Sequence, residues 1–512
     1  MRILVTLLVL AVVAVGGWQL LPSQDKSDET ITVGTTDTVT SLDPAGAYDA
    51  GSWALFSNVF QSLLTYEPGG VSPVPDAAKS CSFAKGSLTT YSCELRDDLT
   101  FTGGGKVTAE DVKFSFDRVK KINSDVGPAS LFSTLKSVDA TGMTVTFHLS
   151  SPDATFPFKV ATGAGSIVDR TRYPADALRT GNDVDGSGPY RLTGYSKGKK
   201  VDLSPNSGYK GAVDTGAPIE VRYYADPEAL DKAWQAKEVQ AATRQLPPKV
   251  LAALNASDPD MRVTEADSSE TRNLYFNTRS GSPLHETDVR KALAWLIDRA
   301  RLASTVYDGT VEPLYSLIPT GITGHTTSFF DSYPDPDAKK ARKLLEEAGV
   351  SLPVTFTYGY GLGSGSAAAE ATELKRQLEA TGLFKVNVKG YEWTDFQKRW
   401  ATGKLDAYAV GWVADYPDPD TFAAPLVGTD STMNTGYSNK KVDGYIADSQ
   451  QFADRSRVDS DFRDLQQVVA EDVPVIPLWQ RKEYVVTSSD VGGGQYLADG
   501  NGVFRLWKLD WI

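Results

Sequence analysis

Residues 411–422 read GWVADYPDPDTF, placing three carboxylates (Asp415, Asp418, Asp420) and three aromatic rings (Trp412, Tyr416, Phe422) in one short stretch. Two chemistries fit that composition. A pair of acids across a substrate is the arrangement of glycoside hydrolysis, and Asp415 with Asp418 or Asp420 would supply it. Alternatively, an acid beside aromatic walls loses solvation and wants a cationic partner, which makes Asp415, between Trp412 and Tyr416, a binding group. Asp418 and Asp420 flank Pro419, and the same Asp-Pro-Asp trio recurs at 258–260 and 335–337. Asp and Pro are turn formers, so these two acids read first as conformational.

The remaining templates for chemistry fail. There is no GxSxG elbow, Walker A loop or strand-borne GxGxxG. The run Thr102-Gly103-Gly104-Gly105-Lys106 lacks the phosphate-loop spacing and reads as a turn. His148, His285 and His325 are isolated, so no metal site and no cofactor are expected. A formal charge of −13 argues against nucleic-acid binding, which needs a basic footprint.

At 512 residues the chain exceeds one ordinary core, and two or three compact units are expected. One Arg followed by an apolar run from Ile3 to Gly17 marks residues 1–24 as a signal peptide or N-terminal membrane anchor. The protein is therefore expected to be exported. In that setting Cys81 and Cys93, separated by a hairpin-like stretch turning at Lys85-Gly86, are expected to form a disulfide.

The elements that would carry these groups alternate irregularly between strand and helix, as in mixed α/β units. Residues 31–37 read as a strand and 52–66 as a helix with Leu55, Val59 and Leu63 on one face. Thr108 and Asp111 form a helix-start signature ahead of Val112, Phe116 and Val119. Residues 190–204 read as a hairpin turning at Lys197-Gly198. Residues 288–302 carry the strongest helical periodicity, and 335–349 a helix stopped by Gly349. Trp53, Trp234, Trp393 and Trp400 lie on helix-like segments, where core packing is the default. Residues 404–412 read as a strand that delivers the acidic stretch at its C-terminal end, where α/β sheets present ligands.

Six stretches in order resemble the extracytoplasmic solute-binding proteins of ABC importers, in the family of oligopeptide, dipeptide and nickel binders. They are SLDPAGAYDAGSWALFSNVFQSLL, LTFTGGGKVTAEDVKFSFDRV, GSGPYRL with SPNSGYKG, LYFNTRSGSPLHETDVRKALAWLIDR, GWVADYPDPDTF and DVPVIPLWQRKEYVV. The run TGGGKVTAEDV is richer in glycine than the family's usual version.

The resemblance implies a two-lobed, periplasmic-binding-protein-like (type II) α/β fold in three domains with a discontinuous first lobe. Lobe I would comprise 30–68, 188–272 and 483–512, with 69–187 as an inserted smaller domain. Lobe II would span 273–482, with crossings near 268–272 and 482–484. By the same resemblance Asp415 would hold the α-amino group of a peptide bound as an added strand, with Trp412 and Tyr416 walling the site. Tyr48 and Ser52 would face it from the other lobe. Arg272 and Arg279 are both candidates for a peptide carboxylate. The implied protein is not an enzyme. It is a monomer that captures a solute, most readily a short peptide, outside the cytoplasmic membrane and delivers it to an ABC permease. An oligosaccharide or metal chelate as the solute, a secreted carbohydrate hydrolase, and a membrane-tethered sensor or adhesion module remain the alternatives.

Overall fold

The computed structural model describes residues 29–512 except 212, 214, 215, 245, 363, 364 and 499–502; the expected leader at 1–24 lies outside the described residues. Among these residues the backbone forms one eleven-stranded mixed sheet with helices on it, a separate four-stranded sheet and two short two-stranded sheets. Along the large sheet the order is Phe384–Tyr391, Val354–Gly361, Ala407–Trp412, Met261–Phe276, Val475–Ser488, Ala241–Thr243, Ile31–Thr35, Ile219–Tyr223, Lys200–Pro205 and Tyr190–Ser196. The short strand Val311–Pro313 pairs beside Val475–Ser488.

Two hydrophobic cores divide this sheet. One gathers residues from Ile31 to Ala241 and returns for Val485 to Leu509; the other runs from Leu274 to Trp479. Met261–Phe276 and Val475–Ser488 belong to both halves and pair antiparallel along their length. Their register breaks between Asp267, opposite Lys482, and Thr271, opposite Gln480. This bulge interrupts the ladder where the chain leaves one core for the other.

Parallel pairing aims several strand ends at the same boundary. Ile31–Thr35 is parallel to Ala241–Thr243, and Val354–Gly361 is parallel to Ala407–Trp412. The last of these runs straight into the acidic stretch.

The four-stranded sheet pairs Ala78–Phe83, Thr90–Leu95, Thr144–Leu149 and Leu135–Thr141 in that order. Cys81 lies directly opposite Cys93 in the ladder, and the two form the expected disulfide. Helix Ala109–Ile122 covers this sheet through Phe116, whose ring packs edge-on against Phe132 and Phe147 at 5.0 and 4.9 Å. Its start is the capping box that Thr108 and Asp111 announce.

Two helices differ from the sequence reading. The first spans Ala50–Val59 and does not continue to Tyr66. Its last carbonyl accepts the Gly188 amide from a distant strand lead-in, which satisfies the C-terminus there. The periodic run 288–302 is two helices, Thr287–Ala294 and Arg299–Val306. Asp298 breaks it: its side chain caps the Arg301 amide at 2.8 Å while its own amide donates to Gln377 Oε1 at 2.8 Å. The Trp295 carbonyl then accepts from the Asp337 amide at 2.7 Å. Tertiary partners on both sides of the break outbid a local pattern that runs through it.

Among the described residues no helix is long and apolar enough to cross a membrane.

Candidate functional site

Asp415 sits three residues beyond strand Ala407–Trp412, with a side chain buried at the boundary of the two cores. Its Oδ2 accepts a hydrogen bond from Tyr48 Oη at 2.7 Å, across 367 residues of sequence. The Thr421 hydroxyl stands 3.3 Å from the same oxygen and accepts the Asp415 amide at 3.1 Å. No Lys or Arg among the described residues forms an ion pair with it. Burial therefore dominates, pushing the carboxyl up to about 7 against the Tyr48 and Thr421 hydrogen bonds and the distant charge of Lys159. A buried carboxylate with hydroxyl donors and no counter-charge is the arrangement an ammonium ligand completes.

Tyr48 is held for this contact. Its ring stacks on Trp53 at 5.3 Å, and Trp53 is tied to the Ala47 carbonyl at 3.1 Å. Gly163 lies so close to the Trp53 ring that a Cβ there would meet it at 2.6 Å. Trp53 thus lines a cavity together with Phe56, Tyr66, Thr162, Ser166 and Asp415. The cavity volume there is about 40 Å³, room for a few water molecules beside Asp415.

The other expected site residues are placed as follows. Trp412 is buried, and its indole N–H has no hydrogen-bond partner among the described residues. Tyr416 is buried among the residues of the other core, 6.0 Å from the Phe158 ring, and donates to Asp420 Oδ2 at 3.0 Å. Ser52 is fully buried in the first turn of helix Ala50–Val59, accepting the Thr40 amide at 3.0 Å, and does not line the cavity. Arg272 is committed to buried Glu370 at 2.8 Å, a carboxylate that also accepts from Tyr307 and Trp479. Arg279 is committed to Asn434, through its carbonyl at 2.8 Å and Oδ1 at 2.6 Å.

The two further acids of the stretch are structural, which removes the two-carboxylate hydrolase. Asp418 is gripped by Arg455 in a two-pronged ion pair at 2.7 and 2.9 Å. It also accepts the Asp420 amide at 3.0 Å, the same turn that Asp258 makes with the Asp260 amide at 2.9 Å. Asp420 accepts from Gln450 at 2.7 Å.

Sequence reasoning missed the groups that join the two halves beside this turn. The Gln450 carbonyl accepts the Ala154 amide at 3.1 Å, and Thr155 Oγ1 donates to Gln450 Oε1 at 3.3 Å. Buried Lys159 pairs with Asp153 at 2.8 Å. Burial works against its charge, but Asp153 first and then Asp420 hold Lys159 above its ordinary value. The structure is thus closed, with hydrogen bonds spanning both cores. Thr421 and Lys159 carry no sequence signal; Trp53 does, but its helical setting suggests only packing.

Residues 72–434 match the family described as bacterial extracellular solute-binding proteins, family 5 Middle. The probable D,D-dipeptide-binding periplasmic protein DdpA of Escherichia coli K12 is 26% identical over 467 residues, covering 88% of this chain and 89% of that protein. The PBP AgaA of A. tumefaciens R10, solved with agropinic acid, superposes with a TM-score of 0.83 at 19% identity, covering 94% of this chain and 99% of that one. The ABC transporter-associated periplasmic binding protein DppA of Helicobacter pylori, solved with peptide STSA, gives 0.82 at 22%, covering 94% and 98%. The fold is the type II periplasmic-binding architecture, and the chain belongs to the family 5 bacterial extracellular solute-binding proteins.

Proposed function

We propose that the protein captures short peptides outside the cytoplasm, encloses them between two lobes, and hands them to an ABC permease. The observation that carries this reading is the Asp415 carboxylate: buried, facing a cavity, held by Tyr48 and Thr421, and without a cation of its own. A peptide's α-ammonium supplies the missing charge. The relative named for D,D-dipeptides and the neighbour solved with peptide STSA support a peptide as the solute.

Lobe I is taken as 30–68, 188–272 and 483–512 with 69–187 inserted, and lobe II as 273–482; the partition of the two cores supports that division. Trp412 and Tyr416 are taken as walls of the amine site, and the Trp412 indole N–H, without a hydrogen-bond partner among the described residues, is suited to a ligand carbonyl. Binding is hinge closure without covalent chemistry, the crossings bending at the bulge between Asp267 and Thr271. Native mass spectrometry of the protein purified from its own cells tests the reading. Adducts that resolve into peptides support it, and a single non-peptide adduct refutes the solute while leaving the importer role.

A further inference from the structure

The turn that carries Asp415 is tied to the other core through one residue. Gln450 closes helix Lys440–Ser449, and its neighbours Ile446 and Phe452 pack on the core that runs from Leu274 to Trp479. Its Nε2 donates to Asp420 Oδ1 at 2.7 Å, within that half of the molecule. Its two oxygens reach across. The backbone carbonyl accepts the Ala154 amide at 3.1 Å, and Oε1 stands 3.3 Å from the Thr155 hydroxyl. Ala154 and Thr155 lead into helix Phe156–Val160, whose apolar side chains belong to the core that begins at Ile31. Asp153 fixes this end: it accepts from the Thr155 amide at 3.1 Å, the Thr155 hydroxyl at 2.7 Å and Lys159 at 2.8 Å. The Thr155 hydroxyl proton is thus shared between Asp153 and Gln450.

The same turn serves the site. Asp420 also accepts from Tyr416 at 3.0 Å, the Tyr416 ring lies 6.0 Å from Phe158, and the next residue, Thr421, holds Asp415. Neither Gln450 nor Asp420 lines the cavity beside Asp415, so their bond is not a ligand contact. Both ends of the crossing are dry, with Thr155 fully buried and Asp420 nearly so. In such a setting a hydrogen bond to a carboxylate is strong and its loss is costly.

We propose that Gln450 is the latch of the closed form. Its oxygens hold the Ala154–Thr155 segment, and its amide nitrogen holds the turn that positions Asp415. It therefore governs how long the halves stay together, and acts on ligand retention without touching ligand. The proposal rests on the hinge-closure reading above, and not on the solute being a peptide.

The test is single-molecule energy transfer at pH 8 between dyes on Ser137→Cys and Glu346→Cys, two exposed positions on opposite halves. Opening and closing rates are read alone and with a mixture of di-, tri- and tetra-alanine. Gln450→Ala should open about fivefold faster, the worth of one hydrogen bond, and close at the wild-type rate. Gln450→Glu sets a carboxylate against Asp420 and should open faster still. Adding Asp420→Asn restores a donor to that pair and should return opening toward the wild-type rate, which a general loss of stability would not do. Opening unchanged in Gln450→Ala overturns the latch, as does failure of Asp420→Asn to rescue Gln450→Glu. Should Gln450→Ala fail to fold, the Glu variant and its rescue decide. Alanine peptides that lengthen the closed form in the wild type but not in Asp415→Asn support the amine site separately. If they lengthen neither, the peptide reading is overturned while the latch is still judged on the protein alone. A wild type that stays in one conformation throughout overturns hinge closure and the latch with it.

Discussion

Replacing Asp415 by Asn tests the amine site with the least disturbance to the fold. Asn keeps an oxygen for the Tyr48 and Thr421 hydroxyls, which stand 2.7 and 3.3 Å from the native carboxylate, and changes only the charge. The side chain is 8% exposed, so its pairing with an ammonium is desolvated. Truncating one partner of such a pair costs about 2–5 kcal/mol, which is about 30- to 5000-fold in Kd. The pH dependence carries a definite sign. In the closed protein without ligand the Asp415 carboxyl titrates at about 7, and a bound ammonium must lower that value. Binding therefore releases a proton below pH 7, and the wild type loses up to about tenfold in affinity per pH unit as pH falls from there. Above about 8 the ligand's own α-amino group deprotonates and affinity falls again. Other titrating groups, Asp37 and Glu483 among them, are common to both proteins, so the ratio of the two Kd values isolates Asp415. Calorimetry with a peptide identified by mass spectrometry should show that ratio largest between pH 7 and 8 and shrinking toward pH 5. A folded Asn variant with unchanged affinity, or a ratio flat across pH, would refute the reasoning.

Three further outcomes follow from the surrounding structure. Asp418→Asn leaves Arg455, whose side chain is 12% exposed, without its carboxylate; urea unfolding should show a loss of about 3 kcal/mol, the low end for a buried pair broken on one side. Replacing Cys81 and Cys93 together by Ser reopens a loop of sequence separation 12 and should cost about 2–3 kcal/mol in the same assay, with peptide affinity unchanged in the folded protein. Glu373 is held down at about 2 by Arg376 first, with Gln377 and Arg301 also donating to it. Its stabilisation is therefore full above its unfolded pKa near 4.5 and disappears as pH falls through 2. Because Arg301 and Arg376 are about half exposed, Glu373→Gln should cost only about 1 kcal/mol at pH 7, and nothing at pH 2.

What could be read beforehand was local. The Thr108–Asp111 capping box, the Lys197-Gly198 hairpin, the Cys81–Cys93 pair and the strand before Trp412 all involve residues close in sequence whose types determine their geometry. The helix break at Asp298 was not legible, because the amide partner that makes it favourable, Gln377, is 79 residues away. The same limit applied to the site. Asp415 stood out by its aromatic neighbours, and the resemblance brought Tyr48 to it. Nothing near Lys159 or Gln450 signals that both come to Asp420, since each is an ordinary surface-type residue until the chain folds around it. Ser52 matched a family stretch, yet its hydroxyl is occupied by Thr40.

The two long crossing strands also impose an order of assembly. Everything from Leu274 to Trp479 lies in one uninterrupted length, so that core can consolidate as soon as its own residues are present. The core that begins at Ile31 cannot, because it needs Val485 to Leu509. Until Val475–Ser488 arrives, Ala241–Thr243 has a neighbour only on its Ile31–Thr35 side and leaves an open sheet edge. For a chain passed through a membrane N-terminus first, the earliest segments to emerge are thus the last to be completed. The interval is one of exposed strand edge, when pairing with another chain is the competing reaction. The three-residue length of Ala241–Thr243 keeps that edge short while it waits.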